Sequence, residues 1–225
     1  MDRLIEAIEA KQNPSVVGLD PTEALVPAQI VAGFAEEISE QVEDPAEAPS
    51  MQLSVAFFEF NRAIIDAVAD IVPAVNRRSP CMRRSDQPAS TLQHDLRIRQ
   101  TAGTVRPRRR QARRHRLHRS RLRPPPDGVG DFDPWHEDAV TVNPYLGTDG
   151  ITPFVEAAAE ADKDIFVLVR TSNPSSSELQ MLDLADGTKV YEHVADLVEG
   201  WGAETIGSHG YSRVGAVVGA THPEE

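Results

Sequence analysis

The stretch AVTVNPYLGTDGITPFVEAAAEADKDIFVLVRTSN, residues 139–173, holds two apolar runs on either side of an amphipathic segment. The first run, residues 139–145, and the last, residues 164–173, are nearly continuous in apolar residues, which is typical of strands buried on both faces. Residues 150–162 between them have the apolar spacing of a helix. A strand, a helix and a strand in this order predict a parallel sheet with right-handed crossovers.

The same alternation continues on both sides of this stretch. Further helices are predicted at residues 2–11, 27–42, 55–72 and 190–202, and further strands at 15–22, 73–75 and 213–220. The sequence therefore predicts one α/β domain spanning residues 1–225, either a doubly wound sheet or a barrel, with about six strands. It contains neither GxGxxG after a strand nor GxxxxGK[ST], so dinucleotide and P-loop sites lose their main support.

The composition is that of an acidic protein that can bury a core. The chain has 225 residues, of which 40% are hydrophobic, and a formal net charge of -12. It shows no basic-then-apolar leader at Met1 and no apolar run long enough to cross a bilayer, so we expect a cytoplasmic location without membrane contact. The single cysteine, Cys81, excludes an internal disulfide framework and a thiolate cluster for zinc, and no metal is expected.

Residues 76–126 differ sharply from the rest of the chain. They hold 16 of the 23 basic residues and only two acidic ones, Asp86 and Asp95, and they lack Lys, Phe, Tyr and Trp. A nucleic-acid-binding arm is one interpretation, because clustered arginines neutralise phosphates. It is disfavoured, since such arms commonly mix Lys with Arg and lie at termini, whereas this segment interrupts the alternation where a core strand is needed. The other interpretation is that residues 76–131 are translated from a coding sequence in the wrong reading frame and are disordered.

Four motifs carry a resemblance to a known family. They are GLDPT at 18–22, FFEFNRAIID at 57–66, FDPWHEDAVTVNPYLGTDGITPF at 132–154 and VRTSNPSSSELQ at 169–180, and they resemble orotidine 5'-phosphate decarboxylase of the longer bacterial type. The resemblance implies a TIM (β/α)8 barrel with its site at the carboxyl ends of the strands. It also implies a homodimer that decarboxylates orotidine 5'-phosphate in UMP synthesis and uses no cofactor. Another phosphosugar-handling barrel enzyme is the alternative, which the motif at 132–154 disfavours.

The resemblance also implies a strand ending in Lys and then the sequence Asp-x-Lys-x-x-Asp, and neither is present. The codons for this segment are compatible with the missing family sequence if they are translated one base out of frame from Asn76 and two bases out of frame from about Leu92. The printed frame agrees with the family again by about Phe132, as three single-base deletions would produce. The family's catalytic positions then fall on Arg109, Gln111 and Arg114. We therefore expect the printed chain to lack decarboxylase activity.

The resemblance assigns four substrate-binding residues: Asp20, Asn143, Thr171 and Ser172. Asp20 matches a substrate-binding Asp after the first strand, although an Asp before Pro is also an ordinary turn residue. Thr171 and Ser172 match a loop that contacts the pyrimidine. Asn143 either orients the ligand or satisfies the backbone at a strand end, and the second reading is favoured. Three other candidates are read as structural: Trp135, His136 and His222.

The predicted sixth strand ends close to Glu225. Barrels of this kind usually bind phosphate with the loops after their seventh and eighth strands. We therefore expect the phosphate-binding residues to be missing from this sequence, and an open barrel of six strands to expose apolar edges.

Overall fold

The computed structural model describes residues 1–35, 38, 44–78, 107–109, 137–221 and 223, with the backbone alone at 77–78 and 107–109. Contacts divide the described residues into two compact units. The C-terminal unit comprises residues 1–5, 109, 137–221 and 223, and the N-terminal unit comprises residues 6–35, 38, 44–78 and 107–108. Helix α1 (Asp2–Lys11) begins in the first of these and ends in the second.

The N-terminal unit contains two paired strands and two helices. Its elements after α1 are β1 (Val16–Leu19), α2 (Ala28–Ala32), α3 (Ala48–Val68) and β2 (Ala74–Arg78). Strands β1 and β2 are parallel, with Val16 opposite Ala74. Two small apolar clusters stabilise the unit: Leu19, Val72 and Val75 pack against α3, and Val26, Ala56 and Phe57 pack between α2 and α3.

The C-terminal unit is built on three parallel strands. Its helices and strands are β4 (Ala139–Val142), α4 (Thr148–Glu160), β5 (Asp164–Arg170), α5 (Ser177–Gln180), α6 (Val190–Gly202) and β6 (Val214–Val218), with short 3₁₀ helices at Pro144–Leu146, Pro174–Ser176 and Ala203–Thr205. Strand β5 pairs with β4 on one side and β6 on the other. A short strand, β3 (Pro107–Arg109), comes before β4 in the chain.

The core of the C-terminal unit lies between the strands and helices α4 and α6. Its buried members are Val142, Ile151, Ala158, Ile165, Val167, Val169, Val198 and Val214. On strand β5, Ile165, Val167 and Val169 share one face and pack against helices α4 and α6, and the residues of the other face are buried or half-buried. This burial explains the unbroken apolar run in its sequence.

Most predicted elements are confirmed, and their ends differ for local reasons. Helices α1 and α6 have the predicted bounds. The helix predicted at 27–42 is wrong as one element, because α2 ends at Ala32 and the chain turns at Gly33, a residue with weak helix propensity. The strand predicted at 139–145 ends at Val142, since Pro144 begins a 3₁₀ helix.

The Arg-rich segment 76–131 lies mostly outside the described residues. Within it, residues 76–78 complete β2 and Pro107–Arg109 form β3. The disorder predicted for this segment therefore stays a prediction. The single domain predicted for residues 1–225 also stays a prediction. Gln111, Arg114 and the candidates Trp135, His136 and His222 lie outside the described residues. Across the described ranges, no helix combines the length and apolar composition that a bilayer crossing requires.

Asp2, at the start of α1, forms hydrogen bonds with the loop that precedes β6. Its carboxylate accepts hydrogen bonds from the backbone N–H and the hydroxyl of Ser208, at 2.8 and 2.7 Å. These hydrogen bonds lower the pKa of Asp2 to about 2. Because folding favours the ionised form, Asp2 contributes stability above its ordinary pKa of 3.8, and this stability is lost as the pH falls towards 2.

We expect Asp2→Asn to flatten the pH dependence of the unfolding free energy between about pH 4 and pH 2. Urea denaturation of both proteins at a series of pH values measures this difference. Ser208→Ala, which removes the hydroxyl donor, should flatten the same part of the curve to a smaller degree. Equal slopes for Asp2→Asn and the unsubstituted protein would show that Asp2 has no such role.

Candidate active site

Strands β4, β5 and β6 present their carboxyl ends at one edge of the C-terminal unit. The register places Val142 opposite Val167 and Arg170 opposite Val218. Strands β5 and β6 therefore end level with each other, while β4 ends three residues earlier, or about 10 Å along the strand. The residues that follow these strands are the natural place for a binding site in a parallel sheet.

Arg170, the last residue of β5, organises the loop that follows it. It is 5% exposed, although Arg is seldom buried without partners. Its Nη1 donates to the carbonyl oxygen of Thr171 at 3.0 Å, to Ser176 Oγ at 2.6 Å and to Gln180 Oε1 at 3.2 Å. The guanidinium also lies 6.0 Å from the ring centroid of Tyr191 on α6. These contacts tie the start, middle and end of loop 171–180 to one buried charge.

Gln180 connects the far end of this loop back to Thr171. Its Oε1 accepts from the backbone N–H of Thr171 at 2.9 Å, and its Nε2 donates to Thr171 Oγ1 at 2.8 Å. The hydroxyl of Thr171 in turn donates to Asn173 Oδ1 at 2.6 Å. Thr171 is half-buried and Ser172 is exposed. The loop is therefore closed on itself, with Ser172 on its outer surface.

Gly219, the residue after β6, packs closely against Ser172. Its backbone N–H donates to the carbonyl oxygen of Arg170 at 2.7 Å. A Cβ atom at Gly219 would lie 3.1 Å from the backbone nitrogen of Ser172 and 3.2 Å from its Cβ. The end of β6 thus leaves little space beneath Ser172, and only glycine fits here without displacing it.

The other two predicted site residues are placed differently. The side-chain oxygen of Asn143, after β4, accepts from the backbone N–H of Tyr145 at 2.9 Å and caps the 3₁₀ helix. This is the backbone-satisfying role that the sequence favours. Asp20 follows β1 in the N-terminal unit and is exposed. The structure therefore brings Thr171 and Ser172 together, with Asn143 at the same edge of the C-terminal unit.

Sequence reasoning missed Arg170, Gln180 and Gly219. Two of them lie inside the motif VRTSNPSSSELQ, at its second and last positions. An Arg that directly follows five apolar residues was the available signal, because a strand of this kind buries its neighbours. No signal of comparable strength points to Gly219. Within the described ranges, no group of three or more His, Cys, Asp or Glu side chains is arranged to hold a metal ion.

Comparisons with known proteins show the family of the chain. A family model described as "Orotidine 5'-phosphate decarboxylase / HUMPS family" matches residues 133–225. The orotidine 5'-phosphate decarboxylase of Caldicellulosiruptor bescii is 34% identical over 230 residues, covering 99% of this chain and 72% of that protein. The chain belongs to the orotidine 5'-phosphate decarboxylase family. The enzyme of this name from Rhodopirellula baltica is 50% identical over 95 residues, which are 42% of this chain and 31% of that protein.

A solved structure from Streptomyces avermitilis has a TM-score of 0.70 and 26% identity, covering 98% of this chain and 69% of that one. The fold class is therefore α/β, of the TIM-barrel family, and the described residues contain six strands. Orotidine 5'-phosphate decarboxylases are carboxy-lyases of pyrimidine synthesis that act on a small-molecule substrate. The family match begins at residue 133, close to Phe132, where the printed frame is expected to agree with the family again.

Proposed function

We propose that this chain binds the pyrimidine nucleotide of the decarboxylase reaction through Thr171 and Ser172 but does not decarboxylate it. The observation that carries the binding half is the closed loop 171–180. Arg170 and Gln180 fix its conformation from within, and it leaves Ser172 exposed at the carboxyl edge of the strands. We include Asp20, which follows β1, and Asn143 in the same proposal with supporting roles.

The other half of the proposal concerns the missing catalytic residues. Removal of the C6 carboxylate leaves a carbanion, which an adjacent Lys ammonium stabilises and then protonates, while a carboxylate near the departing CO2 disfavours the ground state. This chain has Gln111 at the Lys position, and neutral Gln cannot donate that proton. Arg109 and Arg114 replace carboxylates and reverse the charge that the reaction needs.

Binding of UMP, the reaction product, tests the first half. We expect Ser172→Ala to weaken UMP binding to the 225-residue chain about fivefold to tenfold, the loss of one hydrogen bond. Thr171→Val should weaken it at least as much, because it also removes the hydrogen bonds with Gln180 and Asn173 inside the loop. Titration calorimetry measures the affinity. Ser175→Ala is the matched control, because Ser175 is exposed in the same loop and should leave the affinity within about twofold of the unsubstituted protein. Equal affinities for all four proteins would refute the assignment.

The homodimer and the cytoplasmic location that the resemblance implies also belong to this proposal. Membership of a family that acts in pyrimidine synthesis supports both. Sedimentation equilibrium of the purified chain tests the dimer, and fractionation of the source cells tests the location.

A further inference from the structure

We propose that Arg170 and Gln180 are positioning residues for nucleotide binding, which hold Thr171 and Ser172 in the conformation that receives the pyrimidine; this rests on the proposed function. Neither side chain is exposed at the loop surface in the way that Ser172 is. Their effect on a ligand would therefore pass through the loop that they fix.

The buried charge of Arg170 couples this side chain to the loop. A guanidinium that leaves water loses its hydration, and this loss is tolerable only if protein acceptors replace the water. Three of the acceptors that Arg170 uses belong to loop 171–180: the Thr171 carbonyl, Ser176 Oγ and Gln180 Oε1. If the loop moved away, the buried charge would lose these partners. The orientation of Arg170 and the conformation of the loop are therefore mutually dependent.

The directions of the hydrogen bonds orient Gln180 and Thr171. Gln180 Oε1 faces two donors, Arg170 Nη1 and the Thr171 N–H, so the carboxamide has only one favourable orientation. Its Nε2 must then donate to Thr171 Oγ1, which leaves the Thr171 hydrogen for Asn173 Oδ1. Arg170 thus sets the orientation of Gln180, and Gln180 sets that of the Thr171 hydroxyl.

The end of β6 restrains Ser172 as well. Gly219 contacts Ser172 from the end of β6 and donates to the carbonyl of Arg170. Ser172 is therefore held between this strand end and the network of Arg170 and Gln180. A loop restrained in this way binds a ligand with less loss of conformational freedom than a mobile one.

The test uses the full 225-residue chain with Arg170→Met and Gln180→Met. We expect each substitution to weaken UMP binding about tenfold and to speed amide hydrogen exchange at residues 171–176 by about the same factor. Arg213→Met is the matched control. Arg213 contacts Asp162 and the Lys163 carbonyl, just before the amino end of β5. It should lower the melting temperature but leave the loop exchange and the UMP affinity within about twofold.

Each outcome decides a different point. Unchanged loop exchange in both Met variants would overturn the positioning role, and so would faster exchange with unchanged UMP affinity. If Arg170→Met does not fold, Gln180→Met, which removes no charge, gives the decision. An unsubstituted chain that does not bind UMP would overturn the proposed function and the role in binding with it, while the exchange data would still show whether Arg170 and Gln180 fix the loop.

Discussion

Purified as printed, the 225-residue chain is expected to release no CO2 from orotidine 5'-phosphate above background. The orotidine 5'-phosphate decarboxylase of Caldicellulosiruptor bescii, assayed beside it, is expected to be faster by about 10⁴-fold or more. Loss of a general acid alone costs about 10²–10⁴-fold, and loss of charge stabilisation at the reacting centre costs about as much again.

The charges of the printed residues explain the size of this effect. The resemblance implies a carboxylate, an ammonium and a second carboxylate, and the shifted reading places these positions at Arg109, Gln111 and Arg114. On this assignment, two positive charges stand where negative ones are needed, and a neutral amide stands where the proton donor is needed. We therefore expect no proton transfer to C6 from these three residues.

A spectrophotometric turnover assay of both proteins measures the difference. Gln111→Lys in the printed chain is the control, and it should remain inactive because both arginines are still present. Resequencing the DNA between the codons for Val75 and Phe132 tests the cause, since three additional bases are expected there. Turnover by the printed chain would contradict the reading of this segment as a frameshifted sequence.

The elements that sequence could predict are those whose pattern is local. Helices α1 and α6 were placed with the right bounds because their apolar stripes repeat without interruption. Strand β5 was found because burial on both faces requires an apolar residue at nearly every position. The prediction of one helix at 27–42 is wrong because the pattern of apolar residues continues across Gly33, whereas the backbone turns at that residue.

The contacts within the candidate site are harder to predict from sequence than the helices and strands. Thr171 and Ser172 could be found because they belong to a motif, and loop motifs keep their order in the chain. The five apolar residues before Arg170 are a signal that it is buried, but they do not show which acceptors it uses. Its partners become visible only when the loop folds back and brings Ser176 and Gln180 to it. The contact of Gly219 with Ser172 depends on strand pairing, which a single sequence does not reveal.

The second large effect is expected at Ile151, on α4. Ile151 is 0% exposed and belongs to the core of the C-terminal unit. Ile151→Ala should lower the unfolding free energy by about 3–4 kcal/mol, since it removes three buried carbons and leaves a cavity. Ile206→Ala is the matched control, because Ile206 is 58% exposed and the change should cost only about 0.5 kcal/mol. Urea unfolding followed by the fluorescence of Trp201, on α6, measures both.

Equal unfolding midpoints for the two variants would mean that this core does not stabilise the C-terminal unit. The expected difference has a consequence for function. Among the described residues, the eight buried members of this core lie between Val142 and Val214 in the sequence. Ile165, Val167 and Val169 of β5 belong to it together with Ile151. A loss of core packing at Ile151 is therefore expected to loosen the strand from which loop 171–180 continues.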